Sequence, residues 1–451
     1  QGRLYIGRAG RPPILRHEGT DYTLAVPRPG SAPTLANMNP PTPDLTETVQ
    51  VAYTFVTSLG EESAPSPLAE IETDNVVTVR ISAFDAPPGG RLINAIRIYR
   101  SQTDVSGVTA LYFVAEAAAD TNQYDPDVAE TPLGDEITTL DFTDPPVGLT
   151  GLTAMPNGMV AAFKGRDIYF CEPYQPHAWP VKYSLSVDYD IVALSSFGTN
   201  LAILTTGEPY RAQGTHPDNM VMEKVEVNLP CVAAAGVVDF GYSAVYPSSD
   251  GLVEISGNGA RVVSDALFTR EQWQAMEPAT IRACQFGRRY LFAFHGVLPG
   301  VYGAMPGTAR KTCSIDMSGD MPSLRRYDFT PAALFFDVSE GNAYYAEDGH
   351  IQQFDDPAAV TRKTQRWRSR RYEMPQPTTF GALWVETAPG DTVTARVYAN
   401  DALIATVTAD GDIKRLPDGL AKAWEIEIEG TGMVTAITIA GTMDEIAAAG
   451  S

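Results

Sequence analysis

Cys171, Glu172 and His177 fall within seven positions of one another, in the stretch IYFCEPYQPHAWP at residues 168–180. A thiol, a carboxylate and an imidazole that close could form a nucleophile with its base, or half of a metal site. A Cys–His pair also needs a third group to orient the base, and no glycine-rich oxyanion loop or second histidine follows nearby. Zinc needs three or four ligands. The other histidines, His17, His216, His295 and His350, stand alone. Three prolines and several aromatic residues crowd the stretch. It is expected to be a stiff connection between strands, with Tyr174 and Trp179 as aromatic anchors and the imidazole bonded to backbone.

The remaining motifs point away from chemistry. Asp410, Gly411 and Asp412 supply too few ligands for a calcium loop and read as a hairpin turn. No GxGxxG after a strand, no GxxxxGK[ST] and no HExxH occurs. No Ser-x-Asp-x-Gly-x-Thr-Trp box of the sialidase kind is present. No catalytic, cofactor-binding or metal-ligating residue is therefore assigned, and the chain is read as a non-enzyme without a cofactor. One charge cluster stands out: Arg362, Lys363, Arg366, Arg368, Arg370 and Arg371, within TRKTQRWRSRRYEMP. On a strand, Arg366, Arg368 and Arg370 would share a face. The strip reads either as a solvated linker between the propeller and the last domain or as a candidate subunit interface, since a basic strip can clasp an acidic neighbour and set its register.

That cluster sits in an acidic chain. The 451 residues carry a formal charge of −22. A free-standing nucleic-acid binder is expected to be basic, because phosphate contacts carry its affinity. No run reaches the roughly 20 apolar residues of a membrane span. Cys171, Cys231, Cys284 and Cys313 are scattered, with no CxxC pair, and are read as reduced thiols of a protein made in a cytoplasm.

Helical periodicity is almost confined to FTREQWQAMEP, residues 268–278. There Thr269 and Gln272 have capping-box spacing, and Pro278 would end the helix. The fold class is all-β. Short apolar strands flank tight turns at Gly10, Gly165, Gly207, Gly251, Gly296 and Gly349, and the last five glycines are roughly 42, 44, 45 and 53 residues apart. A four-stranded propeller blade takes about 40–50 residues, so a propeller of about six blades is expected, its first hairpin supplied by the N-terminus. Glycine suits two-residue hairpin turns because it adopts positive φ freely.

The domain plan follows from composition shifts. Residues 1–26 are N-terminal propeller strands, 27–45 a Pro-rich linker, and 46–148 an inserted immunoglobulin-sized sandwich with period-two alternation. Residues 149–360 are the propeller. Residues 361–451 are a C-terminal β-sandwich with a short acidic, helical tail. Within the insert, IRIYRS and GEESAPSP resemble strand and turn segments of fibronectin type III domains.

This order of parts resembles the tail nozzle proteins of bacteriophages, the tail tubular protein B type. The resemblance rests on YTLAVPRPGSAPT, YTFVTSLGEESAPSP, IRIYRS, GMVAAFKGRDIYFCEPYQPHAWP, LTTGEPYRAQGTHPDNM, SSDGLVEISGNGARVVSDALFTREQW and AWEIEIEGTGMVTAITIAGTMDEI. It implies a virion structural protein that assembles in the bacterial host cytoplasm. It implies a ring, commonly a hexamer, below an adaptor protein and next to fibres or a tip. Such a ring retains the genome and then channels DNA during ejection, without binding it specifically. Two other classes of function compete: a receptor- or glycan-binding tail protein, and a glycan-cleaving propeller enzyme.

Overall fold

The computed structural model describes residues 2–43, 46–74, 77–103, 109–126, 133–298, 311–318, 322–356, 358–359 and 361–449. The chain divides into two compact units, residues 1–354 and 355–451. Both are built almost wholly of antiparallel strands.

In the first unit, six sheets follow one another, each with its strands in chain order. The first sheet has three strands, Arg3–Arg8, Arg11–His17 and Thr20–Thr23. The second to fifth sheets have four strands each. They start at Thr150–Ala154, Ile191–Phe197, Val238–Asp239 and Arg282–Phe286. The sixth sheet again has three: Ala333–Asp337, Asn342–Glu347 and His350–Gln353. The first strands of successive sheets touch, from the first sheet through to the sixth.

The second strands explain why the sheets stack. Asn200–Thr205, Ser243–Pro247 and Arg289–Phe294 read as near-continuous apolar runs and are buried almost throughout. Such strands must be covered on both faces, and each fully buried large apolar side chain stabilises by roughly 1.5–3 kcal/mol. Phe163 and Ile168 of the second sheet meet Leu201 and Ile203 of the third. Ala202 and Leu204 meet Tyr246 and Val253 of the fourth. Val245 and Leu252 meet Tyr290 and Phe292 of the fifth. Cys284 and Leu291 meet Ala343 and Tyr345 of the sixth.

The repeated glycines mark one place in this plan. Gly165, Gly207, Gly251, Gly296 and Gly349 each follow the second strand of a sheet and precede its third. Gly10, Gly165 and Gly349 have the positive φ expected of a tight turn. Gly251 also has a positive φ, while at Gly207 and Gly296 the expected reason is corrected. Gly207 lies flat against the Tyr189 ring, where an added Cβ would come within 2.7 Å. At Gly251 a Cβ would meet Val262 at 2.5 Å, and at Gly296 it would run into the backbone of Ala275 and Met276. Gly207 and Gly296 are required by close approach rather than by φ, and Gly251 by both.

Between the first and second sheets lies a two-sheet insert. A four-stranded sheet, ordered Ala69–Thr73, Glu47–Thr57, Ile93–Thr103, Thr109–Ala118, faces a three-stranded one of Gln123–Tyr124, Val79–Ser82 and Thr34–Asn37. Tyr53, Phe55, Ile96 and Ile98 pack against Ile81 in its core. The strand Thr34–Asn37 falls inside the stretch expected to be linker. Its flanking prolines hid four residues that pair with Val79–Ser82.

The helix expected at residues 268–278 forms at Arg270–Ala275 with the Thr269–Gln272 capping box in place. It ends at Glu277, whose backbone is left-handed, and Pro278 opens a short 3₁₀ turn. In the second unit a five-stranded sheet packs on a three-stranded one through Val385, Val397, Ile426 and Ile428. The helix Met443–Ala449 lies against the three-stranded sheet.

Candidate functional site

The Cys171–His177 stretch links the third and fourth strands of the second sheet. Cys171 is fully buried with Leu149, Ala162 and Trp179. Its sulfur accepts the Val160 N–H at 3.1 Å. Burial pushes the thiol up to about 12, which withholds the thiolate that a nucleophile needs. The other three cysteines are free, buried and pushed up to about 12 by the same cause. Among the described residues no group of three His, Cys, Asp or Glu side chains is placed to hold a metal.

His177 is also buried, and its Nε2–H donates to the Glu62 carbonyl at 2.8 Å. Burial lowers its pKa, so the ring is neutral. Its edge meets Phe142 at 5.9 Å between centroids. Trp179 is buried as expected and donates to the Pro176 carbonyl at 2.9 Å. Tyr174 differs: it is exposed, with its ring lying over Gly158.

The imidazole therefore ties the second sheet to the insert, at residues that belong to no catalytic motif. The Glu62 carboxylate accepts from Thr54 at 2.7 Å, Tyr99 at 2.6 Å and Arg97 at 2.7 Å. Glu61 pairs with Arg91 at 2.6 Å, their side chains only 5% and 1% exposed. Thr57 donates to Glu61, and Arg3 of the first sheet lies 3.9 Å away. Ser63 and Ser66 accept the Phe55 and Tyr53 N–H groups. The run GEESAPSP thus folds its polar side chains into a buried junction between three parts of the unit. Two adjacent glutamates between an apolar strand and a Pro-rich turn were the signal available. Beside the junction, a cleft of about 630 Å³ is lined by Arg28, Pro65, Phe142, Pro180 and Lys182, with Lys182 held by Asp141 at 2.9 Å. A second cleft, about 650 Å³, is lined by the first strands of the second, third and fourth sheets.

In the second unit, the basic strip supplies an edge strand, Gln365–Arg368, paired with Ala421–Gly430. Arg366 and Arg368 share a face, but a break at Ser369 takes Arg370 out of the strand. That face meets Glu425, Glu427 and Glu429. Arg366 bridges Glu427 at 3.0 Å, Arg368 pairs with Glu425, and Arg396 reaches both Glu427 (2.9 Å) and Glu429. Burial raises the Glu427 carboxyl, but Arg366 and Arg396 outweigh it and hold the group below its ordinary range. Arg362 pairs with Asp391 at 2.7 Å, and Arg371 with Asp401. Arg370 lies over the Tyr372 ring at 4.9 Å. Lys363 is adjacent in the strip. Much of this charge is thus matched inside its own unit. The Asp410–Asp412 segment is a turn, with Asp410 held by Lys414 at 2.6 Å.

No protein-family model matches the chain, and no curated protein matches it. Solved structures give distant likenesses. PorZ, a surface component of the type-IX secretion system of Porphyromonas gingivalis, shares 10% identity over 67% of this chain and 42% of its own, with a TM-score of 0.26. The chain thus spans less than half the length of PorZ. The N-terminal domain of Nup159 shares 9% over 73% of this chain and 86% of that one, at 0.28. An exo-β-1,3-galactanase of Phanerochaete chrysosporium shares 8% over 87% and 100%, at 0.26. Scores this low carry no argument about what the chain does.

Proposed function

We propose that the protein is a structural component of a bacteriophage tail, a ring-forming nozzle that retains the packaged genome and channels DNA during ejection. The six sheets are read as blades of a propeller, the insert as a fibronectin type III-like domain, and residues 355–451 as the terminal sandwich. The observation that carries the reading is the run of meander sheets, stacked face to face in chain order with a separate sandwich inserted after the first. The cleft lined by the first strands of three successive sheets fits strands gathered around a common axis. The junction at Glu61, Glu62, Arg91 and His177 fits a part that must transmit load without bending.

The charge of −22 suits a passage for DNA, because an acidic wall repels phosphates and lets the duplex slide. Copies of itself, an adaptor-side tail protein and fibres or a tip are the partners this reading implies, and the virion tail is the location. Electron microscopy of the purified protein tests it. Rings with a central channel that admits duplex DNA support the reading. Release of sugars from a surface glycan by the same preparation would replace it with the enzymatic alternative.

A further inference from the structure

Two residues in the connections of the second sheet hold backbone that side chains disfavour, and they meet at one glycine. Tyr174 has a φ of 63° and Asn157 a φ of 60°. For a bulky residue such as tyrosine the left-handed region is an outlier, and strain of this kind gathers at ligand sites. The Tyr174 N–H donates to the Gly158 carbonyl at 2.9 Å, and the ring covers Gly158, where an added Cβ would come within 2.4 Å of it. One side of the ring is thus backed by main chain, yet the residue is 74% exposed. Among the described residues it joins no apolar cluster. Burial therefore does not account for the strain, which holds an aromatic ring out in water. The side chains linked to it are polar. Asn157 donates through Nδ2 to the Thr215 carbonyl at 2.9 Å. Nδ1 of the next residue, His216, accepts the Asp218 N–H at 3.2 Å, so Nε2 carries the proton. The His216 ring meets the Tyr183 ring at 5.9 Å, and Tyr183 directs its hydroxyl at Glu172. The Gln175 N–H donates to the Glu172 carbonyl at 2.9 Å, which returns the circuit to Tyr174. Asn157 Oδ1, the His216 Nε2–H and the Gln175 side-chain amide have no partner among the described residues.

We infer that Tyr174 is the platform of a binding site for an uncharged saccharide. A pyranose ring presents C–H groups on its face and hydroxyls around its rim. The C–H face stacks on the electron-rich face of the tyrosine ring. The hydroxyls meet an acceptor at Asn157, a donor at His216 and both at Gln175, the few placed polar groups that fix a small ligand. A protein partner would call for further apolar contacts around the ring, since hot spots sit at the centre of a well-packed apolar patch. The Glu172 and Asp218 carboxylates select against an acidic sugar or a phosphate, because like charges repel. The site does not depend on the ring reading above. It adds to that reading a hold on a neutral surface glycan.

Saturation-transfer NMR of the full chain tests this, with oligosaccharides of glucose, galactose, mannose and N-acetylglucosamine as probes and an oligogalacturonate as the acidic control. The expected result is transfer to the ring C–H protons of at least one neutral probe and none to the control. Tyr174→Asn removes the ring but keeps a residue that tolerates positive φ, and is expected to weaken that binding roughly tenfold. Tyr174→Trp keeps an aromatic face and is expected to retain it. Circular dichroism checks folding, and Gln175→Ala, which removes a hydroxyl partner and leaves the ring, is the second block should Tyr174→Asn fail to fold. The native mass of Tyr174→Asn is expected to equal that of the parent. An oligomer lost in that variant would mark Tyr174 as a subunit contact and overturn the site. So would transfer to none of the neutral probes, stronger binding of the acidic control, or binding unchanged by both substitutions.

Discussion

Replacing Arg91 with Met strands a buried carboxylate. Glu61 is 5% exposed, and Arg91 is its close ionic partner at 2.6 Å. One Glu61 oxygen already has no hydrogen bond, and Arg3 stands off at 3.9 Å. Removing one member of a buried pair costs roughly 3–5 kcal/mol, because the remaining charge keeps its desolvation penalty without its partner. The Thr57 hydroxyl and Arg3 offset part of this, so the lower end, about 3 kcal/mol, is expected. Replacing both residues with apolar ones of similar volume, Glu61→Leu with Arg91→Met, is expected to be close to neutral, within about 1 kcal/mol of the parent. Urea unfolding of the full chain, followed by tryptophan fluorescence, reads the difference, since Trp179 lies in the adjoining stretch and is buried. A single variant costing less than about 1 kcal/mol would falsify the view that the pair is desolvated. So would a double variant as unstable as the single one.

Other outcomes follow from the same structure. His177 is neutral when folded because burial lowers its pKa. Above the ordinary histidine pKa of about 6.5 both states are neutral; below it only the unfolded chain takes up the proton, so stability falls as pH drops towards the folded pKa. His177→Gln, whose amide can still donate to the Glu62 carbonyl, is expected to flatten the unfolding midpoint between pH 7 and 5; an unchanged slope would exclude His177 as its source. Glu427 has the depressed pKa of a paired carboxylate, so its contribution is present above the ordinary carboxylate range and lost as pH falls through the folded value. Glu427→Gln leaves Arg366 and Arg396 undermatched, with an expected cost of roughly 1–3 kcal/mol at pH 7, read by denaturant unfolding of the full chain. The four buried thiols are expected to resist a maleimide at pH 8 in the native protein and to react fully in urea, and rapid native labelling of Cys171 would refute its burial. Gly296→Ala forces a methyl group into the Ala275–Met276 backbone and is expected to cost about 1–3 kcal/mol, against about 1 kcal/mol for the positive-φ turn at Gly10.

Much of the repeat was legible because glycine marks the same connection in five successive sheets. The spacing showed even though only some of those glycines are there for their φ. The helix was legible because capping residues and a breaker are local signals. The strand Thr34–Asn37 was not, because its partner strand lies more than 40 residues on and nothing local announces the pairing. The Cys171–His177 stretch announced possible chemistry by composition alone, while its burial depends on Leu149 and on the insert. Glu61 and Arg91 are 30 residues apart, and a buried pair at that separation has no sequence periodicity to reveal it. The arginine strip is visible in the sequence but its acidic counterpart is not, since EIEIEG reads first as an alternating strand. Strand register is what sets Arg366 and Arg368 beside Glu429 and Glu427.

The most direct test of the central proposal is the mass of the purified protein in solution, followed by imaging of whatever assembly it forms. A closed ring with a channel wide enough for duplex DNA is the predicted result. A chain that remains a monomer in solution and joins no ring within a particle would contradict it.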